Sequence, residues 1–130
     1  MEKLEAFIYN YPGSIYGNDA NFAIANLFYS EGDYTSARRQ YQKVNQYELR
    51  TSQQDEYNFK SGHSYFSEDN YTKASESLKL VNRSGEYGVH TRYYLAYMDY
   101  ASGEYAAAKR EFQQLASEPA YEKVIPFYLL

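Results

Sequence analysis

The chain has 130 residues, 18 of them tyrosine and 7 phenylalanine, with no tryptophan, no cysteine and three prolines. Its 13 Lys and Arg against 17 Asp and Glu give a formal charge of −4, dispersed along the chain, so it lacks the cationic surface that nucleic acid requires. The missing cysteines exclude disulfides, thiolate zinc sites and cysteine nucleophiles together, without fixing a compartment.

The longest apolar runs, Tyr93–Met98 and Val124–Leu130, fall far short of the ~20 residues a membrane-spanning helix needs, so no direct membrane insertion is expected. No signal peptide is visible at the start. In chain order, Pro12-Gly13-Ser14 marks a break. Phe22, Ala25, Phe28 and Tyr29 then recur at helical spacing, a tight turn follows near Gly32, and Tyr34, Ala37, Tyr41 and Val44 continue the same period. A polar connection over Asn45–Gln54 offers Thr51-Ser52 as a cap for the next helix, which carries Phe59, Gly62, Tyr65 and Phe66.

Three segments align without gaps: Gly32-Asp33-Tyr34-Thr35-Ser36-Ala37, Asp69-Asn70-Tyr71-Thr72-Lys73-Ala74 and Gly103-Glu104-Tyr105-Ala106-Ala107-Ala108. Their tyrosines are 37 and 34 residues apart. Each alanine is followed by a bulky residue four positions on (Tyr41, Leu78, Phe112) and an aliphatic one three further (Val44, Val81, Leu115). Each is preceded at twelve positions by a small residue (Ala25, Gly62, Ala96), with an aromatic three before that (Phe22, Phe59, Tyr93). A repeat of this period reads as antiparallel helix pairs, the small residues letting the two helices approach. Asp33, Asn70 and Glu104 stand where a second helix starts and favour it by capping or through the helix dipole.

These residues resemble the tetratricopeptide repeat, a ~34-residue helix–turn–helix with small, Tyr, Ala and aromatic anchors. The resemblance covers residues 18–117, with Asn21, Asn58 and Arg92 in place of the leading tryptophan and Asp99 at an aromatic position. It implies an all-α fold, a right-handed α-α superhelix built as a solenoid, with repeats at 18–46, 54–83 and 89–117 in a single domain over 1–130. The stretch Phe7-Ile8-Tyr9-Asn10-Tyr11-Pro12-Gly13-Ser14-Ile15-Tyr16, leading to Asp19-Ala20, is similar to an inter-repeat junction of bacterial envelope members of the family. By that likeness residues 1–11 are the second helix of a preceding repeat and residues 120–130 the first helix of a following one. The chain is then a piece of a longer array, and the parent protein is expected in the periplasm or at the outer membrane.

The resemblance further implies a concave groove lined by the first helix of each pair: Phe22, Asn26 and Tyr29; Phe59, His63 and Phe66; Tyr93, Tyr97 and Tyr100. Such a surface suits an extended or helical peptide, since rings offer contact area at low entropic cost. The carboxylate clamp of chaperone-binding members is not expected, because Phe22, His90 and Tyr94 occupy its basic or amide positions. His63 and His90 lack a third metal ligand beyond Glu56 and Glu86, and hydrogen-bonded imidazoles are the simpler reading. With no phosphate loop or nucleophile set, no catalytic residue, metal or cofactor is expected. The expected function is a protein-interaction scaffold that binds a protein or peptide. The alternative is an architectural spacer that self-associates through residues 121–130.

Overall fold

The computed structural model describes residues 15–122, which are all-helical: six α-helices and one 3-10 turn, with no strand among the described residues. The helices are α1 (Ile15–Ser30), α2 (Tyr34–Tyr41), α3 (Thr51–Ser67), α4 (Tyr71–Leu78), α5 (Gly88–Ala101) and α6 (Tyr105–Leu115). They belong to two compact units that divide after Leu80. The helix expected over residues 1–11 lies outside the described residues. Of the helix expected over 120–130, residues 120–122 form a turn, in which the Tyr121 N–H donates to the Glu118 carbonyl at 3.0 Å; the remainder lies outside the described residues.

One turn is used three times. Gly32, Asp69 and Gly103 take positive φ angles of 79°, 61° and 91°. Their N–H groups donate to Tyr29, Phe66 and Tyr100 at 3.0, 3.0 and 3.2 Å. The next N–H reaches one residue further back, from Asp33, Asn70 and Glu104 to Phe28, Tyr65 and Asp99 at 3.0, 3.0 and 2.8 Å. This Schellman closure satisfies carbonyls that the helix end would otherwise leave orphaned. The residue that completes it also starts the following helix. Asp33 Oδ1 accepts from the Ser36 N–H at 3.1 Å and Asn70 Oδ1 from the Lys73 N–H at 3.2 Å. Glu104, one methylene longer, makes no such side-chain bond.

In the first unit α1 packs on α2, α3 on α4, and α2 against α3. Phe22, Ala25, Ala37, Tyr41, Val44 and Leu49 form its main cluster, with Phe28, Tyr29 and Tyr57 packed on the outside. Leu49 comes from the segment that reads as a polar connection. The 3-10 turn Gln46–Glu48 delivers it inward, to 4 % exposure. Asn18 holds the start of that turn by both ends of its amide, donating to the Asn45 carbonyl at 3.0 Å and accepting from the Asn45 N–H at 2.7 Å. The cap expected at Thr51-Ser52 is instead Arg50, whose N–H donates to Gln53 Oε1 at 3.1 Å; Thr51 already has helical geometry, so its hydroxyl is past the capping position.

Gly62 of α3 is the point of closest approach to α4. A Cβ there would lie 2.7 Å from Leu78 Cγ, 2.9 Å from Leu78 Cδ2 and 3.3 Å from the Ala74 carbonyl oxygen. Leu78 and Ala74 are both fully buried and cannot swing aside. In the second unit α5 meets α6 through Ala96, Ala108, Phe112 and Leu115, with Val89, Tyr93, Ala116 and Tyr121 packed around them. Arg92, at the register of Asn21 and Asn58, ties the pair by donating to Glu111 Oε1 at 2.5 Å and Gln114 Oε1 at 3.0 Å.

The close approach and the left-handed turn residue each set a measurable stability change. Gly62→Ala gains about 1 kcal/mol of helix propensity but overpacks the contact by about 1–3 kcal/mol, so a net loss is expected in chemical denaturation. Asp69→Gly relieves a left-handed residue and should raise stability by about 0.5–1 kcal/mol in the same measurement.

Candidate functional site

The nine side chains expected on a groove do not share one environment. In the first unit, Phe22 and Phe59 are core residues, 4 % and 6 % exposed. Spacing alone puts them on the same stripe as Tyr29 and Phe66, but they lie deeper, where α2 and α4 close over the first helices. The Asn26 amide serves the interior: its Oδ1 accepts from the Tyr41 hydroxyl at 2.6 Å, supplying the partner that a fully buried phenol needs. Tyr29, His63 and Phe66 remain half-buried. The Tyr29 hydroxyl and His63 Nδ1 are hydrogen-bonded at 2.6 Å, joining α1 to α3. Phe66 stacks on Tyr71, with centroids 5.3 Å apart and planes 20° apart.

In the second unit Tyr93 is covered by Tyr121, stacked at 4.4 Å with an 11° interplanar angle. The Tyr121 hydroxyl is 2.5 Å from His90 Nδ1, and burial pushes its ionisation well above the ordinary phenol range. Tyr97 is half-buried, while Tyr100 is 41 % exposed and meets Tyr105 edge-on at 5.4 Å. Both histidines therefore bond to tyrosine hydroxyls. Among the described residues there is no group of three or more His, Cys, Asp or Glu placed to hold a metal ion.

Sequence reasoning left out Tyr34, Tyr71 and Tyr105, using them only as markers of the repeat. Each is brought against the ring five residues earlier, across the Schellman turn: Tyr29–Tyr34 at 5.3 Å, Phe66–Tyr71 at 5.3 Å, Tyr100–Tyr105 at 5.4 Å. The signal was present as a constant five-residue aromatic spacing around the turn residues. Tyr34 also lies 5.0 Å from the His63 ring, so the rings of both turns of the first unit form one connected set.

A cavity of about 350 Å³ in the first unit is lined by Arg38, Gln42, Tyr65, Glu68, Asn70 and Lys73. Its polar groups already engage one another. Arg38 donates to both oxygens of Glu68 at 2.7 and 3.1 Å and to Gln42 Oε1 at 3.3 Å, and Gln42 donates to the Tyr65 hydroxyl at 3.0 Å. This fork tethers α2 to the end of α3. Lys60 pairs with Glu56 at 2.8 Å and extends its ammonium over the Tyr29 ring, 5.3 Å from the centroid.

No known family model matches the chain, and no curated protein or solved structure is significantly similar to it.

The Arg38–Glu68 fork makes stability depend on pH. The direct hydrogen bond from Arg38, and then its charge, hold the Glu68 carboxyl below the usual carboxylate range. The folded value lies below the unfolded one, so the contribution is present above the ordinary pKa and lost as pH falls through the depressed one. With both side chains partly solvated it amounts to about 1 kcal/mol or less. Glu68→Gln should lower Tm by roughly 3 °C at neutral pH, and the gap to the wild type should close by about pH 3 in circular-dichroism melts. A gap independent of pH would assign the loss to packing instead.

Proposed function

We propose that this chain is a tetratricopeptide-type repeat module that binds a protein or peptide and carries out no chemistry of its own. In this reading its helix pairs stack as a right-handed superhelix, and the first helix of each pair offers part of its surface to the partner. The observation that carries the reading is the division of the rings on those helices. The hydrophobic cluster is filled by Phe22, Tyr41 and their neighbours, yet Tyr29, Phe66 and Tyr100, at one register of the repeat, and Tyr97, a turn earlier, are left half-buried or exposed. A chain that needed its rings only for cohesion would bury them; rings held at the boundary by a hydrogen bond at Tyr29, a stacked contact at Phe66 and an edge contact at Tyr100 are pre-organised area for recognition.

Support for the repeat itself comes from the three matching turns and from the small residue at each helix crossing, Ala25, Gly62 and Ala96, all buried. The envelope setting of the parent protein rests on the Phe7–Tyr16 junction alone. Concave repeat surfaces commonly serve as binding surfaces, which agrees with the ring distribution.

A peptide array probed with the purified chain tests the proposal. Discrete peptides should bind, and Tyr29→Ala with Phe66→Ala, or Tyr97→Ala with Tyr100→Ala, should weaken each of them by roughly tenfold, in line with the loss of two aromatic contacts. Affinities untouched by both pairs of substitutions would reject these helices as the binding surface.

A further inference from the structure

The turn edge of the first unit combines two features that separately mean little. Its rings form a continuous run: Tyr29 meets Tyr34, Tyr34 lies against His63, His63 is 6.5 Å from Phe66, and Phe66 stacks on Tyr71. The turns that carry these rings bear carboxylates, Glu31 and Asp33 on one, Glu68 and Asp69 on the other, all exposed. The cations nearby are largely committed. Arg38 is bonded to Glu68, Lys73 lies 3.8 Å from Glu76, and Lys60 is paired with Glu56. Arg39 adds its charge at Glu68 as well. Glu31, Asp33 and Asp69 thus leave a ring-bearing edge with a negative balance.

One cation already rests on this run of rings: the Lys60 ammonium lies 5.3 Å from the Tyr29 centroid. The second unit repeats the combination on its own turn, where Tyr100 and Tyr105, 41 % and 62 % exposed, meet edge-on beside Asp99 and Glu104. Ring faces attract a cation through their quadrupole, and adjacent carboxylates add charge complementarity.

We propose that the turn edge of the first unit docks an extended cationic segment of another protein, its Arg or Lys side chains lying on the rings of Tyr34 and Tyr71 and their charges answered by Glu31 and Asp69. This rests on the reading of the chain as a peptide-binding module and names the class of partner. Arginine suits the edge better than lysine, because its planar guanidinium stacks on a ring while pairing with a carboxylate. Anionic partners, nucleic acid and acidic membrane surfaces among them, are repelled by the same charges.

The test is fluorescence anisotropy with the whole chain and an unstructured peptide holding four arginines between glycines and serines, beside its lysine, glutamine and glutamate versions. Binding should follow Arg, then Lys, with the glutamine and glutamate peptides far weaker. Tyr34→Leu with Tyr71→Leu keeps apolar volume but removes the rings, and should weaken the arginine peptide by roughly tenfold. Glu31→Gln with Asp69→Asn, a surface pair that leaves the packing intact, should weaken it comparably and flatten its salt dependence. Equal affinity for the arginine and glutamine peptides overturns the proposal. So does an arginine affinity that the ring substitutions leave unchanged, which marks diffuse charge attraction. Uncharged array peptides that lose affinity in Tyr29→Ala with Phe66→Ala, while arginine peptides do not bind, would overturn this edge and leave the interaction module standing.

Discussion

A Cβ on residue 62 would come within 2.7 Å of Leu78 Cγ, and most of the architecture follows from that absent atom. Two helices whose facing residues are Gly62 and Ala74 can approach until Leu78 is sealed between them, and Leu78 is fully buried. The other pairs achieve the same contact with Ala25 against Ala37 and Ala96 against Ala108, all buried. Close approach fixes where the flanking rings end up. In the first unit the rings beside the small residues, Phe22 and Phe59, are buried, and those a turn further along, Tyr29 and Phe66, are left half-buried. The helix propensity lost at Gly62, about 1 kcal/mol, is offset by this packing.

The heavy use of tyrosine rather than phenylalanine makes the hydrogen-bond network unusually dependent on hydroxyls. A buried phenol must find a partner, and each one found here joins separate elements. Tyr41 donates to Asn26 between α2 and α1, Tyr57 to the Tyr41 carbonyl between α3 and α2, and Gln42 donates to Tyr65 between the end of α2 and α3. Burial also raises the ionisation of Tyr57 above the ordinary phenol range. The rings supply apolar area, and their oxygens set the register in which that area is stacked.

The all-helical character and the helix-crossing points were visible in the sequence because burial imposes them at every repeat: a small residue, a ring three before it, an alanine twelve after. The depth of each ring was not visible. Phe22 and Tyr29 are two helical turns apart on one stripe, yet one is 4 % exposed and the other half-buried, a difference set by where α2 and α3 cross α1. Leu49 was hidden for a related reason. A single apolar residue in a polar segment carries no period, and only the 3-10 turn that aims it inward reveals its role. The Asn26 amide looked available because its bond to Tyr41, fifteen residues later, leaves no mark in local spacing.

The double duty of Asp33 and Asn70 links the fates of neighbouring helices. The backbone N–H of each locks the end of one helix while its side chain secures the beginning of the next, so neither terminus can fray without loosening the other. The two-helix hairpin then becomes the smallest segment that opens under native conditions, rather than the individual helix. Glu104 lacks the side-chain half of that coupling. The start of α6 can therefore unwind while α5 stays formed, which makes that hairpin the natural place for local opening to begin.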